Sequence, residues 1–205
     1  MWNDRINLTS IIDWEEVVNK HFLDSLSVAK AVSEDILTKS KCLDIGSGAG
    51  FPGLPIKISF PNAKWTFLEA TGKKCEFLKH ICHILNIEDA TIVQNRAEIL
   101  GQNGDYREQF DIVTARAVAE LRALAELALP FCKIGGKLIA FKTRSKSEEF
   151  ENAKLSISLL GGELIDIIST NTDDIRDRAL IIVKKIRPTP CKYPRRPGMP
   201  AKRPL

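Results

Sequence analysis

The chain alternates short apolar, β-branched runs with segments whose apolar residues recur at helical spacing. The runs predict strands at Lys41–Ile45, Trp65–Leu68, Thr91–Val93, Phe110–Ala115, Lys137–Phe141, Glu163–Ile168 and Arg178–Ile186. The helical spacing predicts helices at Gly50–Phe60, Lys73–Leu85, Ala117–Leu129 and Glu148–Leu160, and two more, Trp14–Val18 and Phe22–Val32, ahead of the first strand. The pattern therefore predicts an α/β fold preceded by short N-terminal helices.

This order of elements also predicts the sheet. Strand–helix alternation requires a mostly parallel sheet with helices on both faces, because crossovers between parallel strands are right-handed. Only a polar loop separates the last two strands, so we expect one antiparallel strand near the edge. That arrangement is typical of the Rossmann-like sheet of class I S-adenosylmethionine-dependent methyltransferases. We expect this domain to span residues 1–187, with a helical lead-in over 1–37.

Composition narrows the class of protein. Of the 205 residues, 44% are hydrophobic and 27% are charged, which is ordinary for a globular chain. No apolar run approaches the roughly 18–20 residues of a membrane span, and the start lacks the features of a signal peptide. The five cysteines include no CxxC pair and suit a reducing compartment. We expect a cytoplasmic protein; the sequence says nothing of its oligomeric state.

Charge is distributed unevenly. Residues 184–205 hold eight basic residues and no acid, so the rest of this chain of net charge +4 is net acidic. Six of the ten prolines lie in the same segment, which we expect to form neither helix nor central strand. A basic, proline-rich tail over 188–205 is either a solubilising extension or an RNA-binding arm, in which Lys192, Arg195 and Arg196 are candidate phosphate contacts.

The glycine-rich stretch after the first predicted strand is the strongest signal of a site. Gly46, Ser47 and Gly48 lie between a strand and a helix, at the edge of the sheet where open α/β folds bind ligands. Glu69 ends the second predicted strand, where an acid can accept hydrogen bonds from the ribose hydroxyls of an adenosine cofactor. Asp44, just before the loop, favours a sulfonium cofactor over a dinucleotide, whose pyrophosphate disfavours a nearby acid.

The ends of the next strands add further candidates. Ala97 and Glu98 follow the third strand, where they are placed to cover an adenine and accept from its amine. Arg116 ends the fourth strand, and its guanidinium suits a carboxylate or a phosphate. Lys142 and Arg144 follow the fifth strand as candidates to hold substrate phosphate or the O6 edge of a base.

Other polar residues carry weaker signals. One predicted helix bears Cys75, His80, Cys82 and His83, but their spacing is not that of a metal site, so we expect no metal. His21 is placed either to reach the mouth of the site as an RNA contact or to cap local structure.

Taken together, these stretches resemble one family along nearly the whole chain, the small-subunit ribosomal RNA guanine-N7 methyltransferase G family, also called glucose-inhibited division protein B. The most specific stretch is Leu43–Gly53, with its Gly-Phe-Pro-Gly ending. The others are Asn7–Thr9, His21–Ser25, Gly72–Lys74, Arg96–Glu98, Thr114–Ala117, Phe141–Lys142 and Lys192–Pro200.

The resemblance implies methyl transfer from S-adenosyl-L-methionine to N7 of one guanine in the decoding region of small-subunit (16S) rRNA, free or in the 30S particle. It implies cofactor contacts at Gly46, Phe51, Ala97, Glu98 and Arg116. Two features depart from the family: members usually have further helices before the position of Trp2, and many have Leu-Asp-Ser where this chain has Leu68-Glu69-Ala70. The other readings are a methyltransferase acting on another RNA or a small molecule, a nicotinamide-dependent oxidoreductase, and a non-catalytic RNA-binding protein.

Methylation at guanine N7 requires no general base, because N7 carries an in-plane lone pair and no proton. A catalytic histidine or cysteine is therefore not expected. Arg116 and Lys142 are instead candidate positioning residues, which would act by alignment and electrostatics.

Overall fold

The computed structural model describes residues 2–143, 147–171 and 177–205. Within these ranges the strands form one seven-stranded sheet, in the order β3-β2-β1-β4-β5-β7-β6. Their bounds are β1 Lys41–Ile45, β2 Lys64–Glu69, β3 Ala90–Gln94, β4 Phe110–Arg116, β5 Cys132–Thr143, β6 Gly162–Ser169 and β7 Arg178–Lys185. All seven predicted strands are present, and the boundaries of the first agree with the prediction.

The pairing of the strands confirms the predicted fold class. Strands β1 to β5 are parallel, whereas β7 is antiparallel to both of its neighbours, β5 and β6. The strand order reverses at β1: β2 and β3 extend the sheet on one side of β1, and β4 and β5 extend it on the other. This reversal places a crevice at the carboxyl ends of β1 and β4, where ligands bind in open α/β sheets.

Helices connect the strands. Their bounds are α1 Trp2–Ile6, α2 Trp14–Val17, α3 Asp24–Leu26, α4 Glu34–Lys39, α5 Gly53–Ser59, α6 Gly72–Ile84, α7 Ala97–Leu100, α8 Leu121–Ala128, α9 Ser147–Leu159 and α10 Met199–Lys202. None of the helices in the described parts of the chain is long and apolar enough to cross a bilayer.

The sheet is buried on both faces. Trp65, Phe67 and Leu78 belong to one hydrophobic cluster, and Phe110, Leu121 and Leu138 to the other. Burial on both sides explains why the central strands are mostly apolar without regular alternation, and the buried polar residues Asp44 and Thr114 are exceptions near the carboxyl ends of β1 and β4. Packing by the two clusters holds the sheet in place on both faces, and the sheet in turn positions the loops at its carboxyl edge.

The N-terminal region differs from the prediction of two helices. Residues 14–30 form one series of short helical segments without a break between two helices. Its middle, Val18–Leu23, is a π-helical turn between α2 and α3. π-helical turns are rare and occur frequently at functional sites. The periodicity of apolar residues cannot predict this turn, because its residues contact Arg116, which is distant in sequence.

The C-terminal segment, residues 188–205, packs against the sheet domain. Arg107 donates to the carbonyl oxygens of Thr189 (2.7 Å) and Tyr193 (2.8 Å). The prediction that this segment contains no helix was wrong, because α10 lies within it. Its proline, Pro200, occupies the first turn, where the missing N–H breaks no helical hydrogen bond.

Candidate functional site

Two hollows open at the carboxyl edge of the sheet, and Gly46 lines both. One, of about 240 Å³, includes Glu69, Ala97 and Glu98 and is called the carboxylate hollow below. The other, of about 300 Å³, includes His21, Phe51 and Arg116 and is called the arginine hollow. The two hollows share Gly46 as a lining residue and so lie on either side of the end of β1, where the two ends of an extended ligand could be bound.

The backbone of the glycine loop turns tightly between these hollows. Gly46 and Gly48 have φ angles of +65° and +55°, in the left-handed region that favours glycine. The amides of Gly46 and Ser47 donate to the Leu68 carbonyl at 2.8 and 3.2 Å, which joins the loop to the end of β2. Ser47 is itself buried, and its hydroxyl donates to the Asp44 carbonyl at 3.0 Å.

Glu69 fastens the loop from the neighbouring strand. Its Oε2 accepts from the Gly48 amide at 3.0 Å, and its Oε1 accepts from the Thr71 amide at 2.8 Å. The side chain is only 7% exposed, yet it lines the carboxylate hollow. The predicted ribose acceptor therefore also braces the glycine loop, so a ligand bound to Glu69 would contact a fixed group.

The opposite hollow is organised around Arg116. Its Nη1 donates to Asp24 Oδ2 at 3.0 Å and to the Lys20 carbonyl at 3.1 Å, and its Nη2 lies 3.0 Å from His21 Nδ1. Lys20 and His21 lie in the π-helical turn and Asp24 directly follows it, so this stretch of chain presents all three acceptors to Arg116. This arrangement fixes the guanidinium in a partly buried position, where a charged donor is worth most.

His21 is neutral in this arrangement. Arginine can only donate, so Nδ1 of His21 accepts, and Nε2 then carries the proton and donates to Thr9 Oγ1 at 2.9 Å. Burial lowers the pKa of His21, and the charge of Arg116 lowers it further. His21 thus supports Arg116 and is the histidine at the mouth of the site.

Phe51, in the glycine-rich loop, contacts both His21 and the Arg116 guanidinium. Its ring stacks on the His21 ring, with centroids 4.7 Å apart, and the Arg116 guanidinium lies 5.1 Å from its centroid. Cation–π attraction adds to the hydrogen bonds that hold the guanidinium. The phenylalanine of the Gly-Phe-Pro-Gly stretch therefore shapes the arginine hollow.

Asp44 lies beneath the loop, fully buried. Thr114 Oγ1 donates to its Oδ1 at 2.8 Å, whereas its Oδ2 has no hydrogen-bond partner among the described residues. Burial raises the pKa of Asp44 to about 7. A Cβ on Gly53 would meet Asp44 Oδ2 at 3.0 Å and the Phe67 ring at 2.6 Å, so a glycine is required there. A cation bound near this carboxyl group would lower its pKa and favour the deprotonated form.

The remaining predicted site residues are placed differently. Lys142 Nζ donates to the Ala119 carbonyl at 2.5 Å and to Glu149 Oε1 at 2.6 Å, so its ammonium is engaged within the protein. Lys192 and Arg196 are exposed, whereas Arg195 is paired with the buried Glu126. Arg144 lies outside the described residues. The roles predicted for these residues stay predictions.

The structure adds residues that sequence reasoning missed. Asp24 and Thr9 hold the Arg116–His21 pair, and Pro200 and Ala201 line the carboxylate hollow. Asp24 follows His21 by three residues, a helical spacing that places both side chains on one face and would have been a signal. Neither periodicity nor spacing indicates the contact of Pro200 with a site that is distant in sequence. Within the described residues, no group of three or more His, Cys, Asp or Glu side chains is arranged to hold a metal.

Comparison with known proteins identifies a family. The family described as rRNA small subunit methyltransferase G matches residues 1–180. A protein of Roseiflexus castenholzii named ribosomal RNA small subunit methyltransferase G is 48% identical over 204 residues, which cover 100% of this chain and 86% of the relative. A protein of the same name from Acetivibrio thermocellus is 46% identical over 206 residues, covering 100% of this chain and 83% of the relative.

Solved structures show the same fold at low sequence identity. Fibrillarin of Aeropyrum pernix, solved with natively bound S-adenosyl-L-methionine, superposes with a TM-score of 0.60 at 17% identity. The alignment covers 77% of this chain and 72% of that one. Because the sequence match extends along the whole chain and includes the residues of both hollows, the chain belongs to the rRNA small subunit methyltransferase G family.

Proposed function

We propose that this protein transfers a methyl group from S-adenosyl-L-methionine to N7 of a guanine in small-subunit ribosomal RNA. The observation that carries the proposal is the pair of hollows meeting at Gly46, with a carboxylate acceptor in one and a fixed guanidinium in the other. The cofactor is an adenosine at one end and an amino acid at the other. Membership of the family supports the reaction and the class of substrate.

The residues on either side of Gly46 fit the two ends of this cofactor. Glu69 would accept from the ribose hydroxyls, Ala97 and Glu98 would border the adenine, and Arg116 would bind the carboxylate of the amino-acid end. The buried Asp44, whose Oδ2 has no hydrogen-bond partner among the described residues, would provide negative charge beneath the loop in its deprotonated form, which a sulfonium favours. When bound, S-adenosyl-L-methionine supplies an electrophilic methyl group on a sulfonium. A dinucleotide fits less well, because its pyrophosphate would lie close to this carboxyl group.

The chemistry at guanine N7 asks little of the protein beyond alignment. The N7 lone pair is free at neutral pH, so no residue has to remove a proton. Neutral His21 and bonded Arg116 hold the wall of the arginine hollow in place, and Phe51 closes its loop side. Positioning of this kind can account for a large part of a rate enhancement without any acid–base residue.

Basic residues near the site support an RNA substrate. Lys74 and Arg178 line the arginine hollow, and the C-terminal segment presents exposed cations, among them Lys192 and Arg196. Cations around a cleft attract phosphate and guide the strand towards the reactive centre. We infer that the substrate is 16S rRNA, either free or assembled in the 30S particle, and that the protein acts in the cytoplasm.

The test is methyl incorporation from labelled S-adenosyl-L-methionine into 30S particles, free 16S rRNA and a panel of small molecules. N7-methylguanine is then located by mild reduction and strand scission, which cleaves the RNA at that base. We expect one labelled guanine in small-subunit rRNA, and Arg116→Ala serves as the low-activity control. Incorporation into a small molecule alone, or into RNA at a position other than N7, would contradict the proposal.

A further inference from the structure

The C-terminal segment reaches the carboxylate hollow. Pro200 and Ala201, from α10, line it together with Glu69 and Glu98. Pro200 is buried there. The segment is thus part of the wall of a ligand site, although its sequence is that of a basic tail.

An ion pair between Arg195 and a fully buried carboxylate anchors this wall. Glu126 of α8 is 0% exposed, and its carboxylate accepts from three groups of Arg195: the backbone amide at 2.7 Å, Nε at 2.9 Å and Nη2 at 2.7 Å. Nη2 also donates at 2.7 Å to the carbonyl of Arg203, the residue that follows α10, so one guanidinium joins Glu126 to the carboxyl end of that helix. A bidentate pair to a fully buried carboxylate defines both position and orientation.

A second contact joins the segment directly to a residue that lines the carboxylate hollow. The Gly198 amide donates to Glu98 Oε1 at 2.8 Å, and Glu98 lines the same hollow. Burial acts to raise the pKa of Glu98, but this hydrogen bond, together with the Glu98 amide and Arg96, outweighs it and leaves the pKa below its ordinary value. The carboxylate is therefore shared between the hollow and the segment, so the position of each affects the other.

We propose that the C-terminal segment is a cofactor-binding element: it encloses the adenosine end of the ligand, and ligand binding and docking of the segment stabilise each other. This inference rests on the proposed function, since it takes the carboxylate hollow as the adenosine site. Reciprocity follows from linkage, because a ligand that binds only the docked form must favour that form. A role in enclosing the ligand explains why this proline-rich basic segment is anchored by the Arg195–Glu126 pair and does not extend freely into solvent.

Hydrogen exchange on the full-length protein tests the linkage without any activity measurement. We expect saturating S-adenosylhomocysteine to slow exchange of the backbone amides of Gly198, Lys202 and Arg203, as well as those of the glycine loop. Slower exchange in the glycine loop alone would overturn the proposal and leave the proposed function standing. If calorimetry detects no binding of S-adenosylhomocysteine to the folded wild-type protein, the proposed function fails and this inference fails with it.

Variants test which end of the ligand the segment contacts. We expect Arg195→Ser to weaken binding of both S-adenosylhomocysteine and 5′-methylthioadenosine by about tenfold, since both carry the adenosine end. The matched control is Arg187→Ser, which removes an arginine of the same basic region whose Nη2 donates to the Ser158 carbonyl at 2.7 Å. We expect the control to bind both ligands as the wild type does.

The double variant Glu126→Gln, Arg195→Ser covers the case in which the single variant does not fold, because it leaves no unpaired charge in the core. We expect the same tenfold weakening, to within about a factor of two. Wild-type affinity in a folded Arg195→Ser or double variant would overturn the proposal. So would a loss confined to S-adenosylhomocysteine, which would place the effect at the amino-acid end.

Discussion

Arg116 and His21 are joined by a hydrogen bond of 3.0 Å in which the imidazole accepts through Nδ1. The bond exists only while His21 is neutral, because a protonated ring has no acceptor and repels the guanidinium. We therefore expect the orientation of Arg116, and with it the proposed binding of the cofactor carboxylate, to respond to the protonation state of His21, a residue that need not touch the reacting atoms.

This relationship predicts a pH dependence of S-adenosylhomocysteine binding. The pKa of His21 is lowered, so the neutral form persists below the usual histidine range and is lost on further acidification. We expect the contribution of His21 to affinity to be complete at and above the usual histidine pKa of about 6.5 and to be lost only at lower pH, as the pH approaches the lowered pKa of His21. The contribution of His21 to folding stability has the same sign, being complete above the unfolded pKa and lost as the pH falls towards the folded one.

The measurement is calorimetry from pH 5 to 8 on the wild type, His21→Gln and, as a control, the exposed His83→Gln. The groups facing His21 are Arg116, Asp24 and Arg178, and they are identical in all three proteins. Asp44 also titrates near neutral pH, and a comparison between variants removes its effect. A wild-type profile that coincides with that of His21→Gln would contradict the role assigned to His21.

Replacement of Arg116 should act at one end of the cofactor. We expect Arg116→Ala to weaken S-adenosylhomocysteine binding by about 10- to 100-fold, the equivalent of about 1.5–3 kcal/mol for a lost charged hydrogen bond. Binding of 5′-methylthioadenosine, which lacks the amino acid, should stay near the wild-type value. Equal losses for the two ligands, or unchanged binding and turnover, would show that Arg116 does not hold the carboxylate.

The sheet and the hollows could be predicted because their signals are local. Each strand is a short apolar run, and Glu69 and Arg116 directly follow strands whose ends meet at one edge of a parallel sheet. The contacts of Arg116 could not be predicted, because a π-helical turn has no periodic signature and Asp24 is 92 residues away in sequence. The same holds for Arg195, whose partner Glu126 is identified only by tertiary packing.

The carboxylate of Glu69 should matter for both the loop and the ligand. We expect Glu69→Ala to lower the affinity for S-adenosylhomocysteine and for 5′-methylthioadenosine by more than about tenfold, because the ribose loses its acceptor and the Gly48 amide loses its brace. Glu69→Asp keeps the acid and should retain more affinity than Glu69→Gln. Calorimetry on the three variants provides the comparison, and Glu76→Ala on the exposed face of α6 is the control. Full affinity in Glu69→Ala would exclude a ribose contact.

Asp44 should release protons when a cationic ligand binds. Its pKa of about 7 means that about half of the molecules carry this proton at neutral pH. A sulfonium near the carboxyl lowers that pKa, so S-adenosyl-L-methionine should displace up to about half a proton at pH 7, and the uncharged sulfur of S-adenosylhomocysteine should displace less. Binding enthalpies in buffers of different ionisation enthalpy measure this release, which should disappear in Asp44→Asn. Buffer-independent enthalpies for the wild type would contradict it.

We expect the exposed cations of the C-terminal segment to contribute to the affinity for rRNA by binding phosphate groups. Arg195 is committed to Glu126, which leaves Lys192, Arg196, Lys202 and Arg203 exposed on the segment. Four contacts to single-stranded phosphate give a log–log salt slope of about −3, or about a 50-fold loss of affinity between about 50 and 200 mM salt.

Neutralising all four residues to glutamine should remove this slope and leave S-adenosylhomocysteine binding intact, since the Arg195 anchor is retained. The matched control replaces four exposed lysines at or near the amino ends of strands, on the opposite edge of the sheet: Lys39, Lys41, Lys64 and Lys133. The control should keep the wild-type slope, because its cations are remote from both hollows. If the segment variant binds the cofactor normally and also keeps the wild-type slope for rRNA, phosphate is bound elsewhere and the segment serves the cofactor alone.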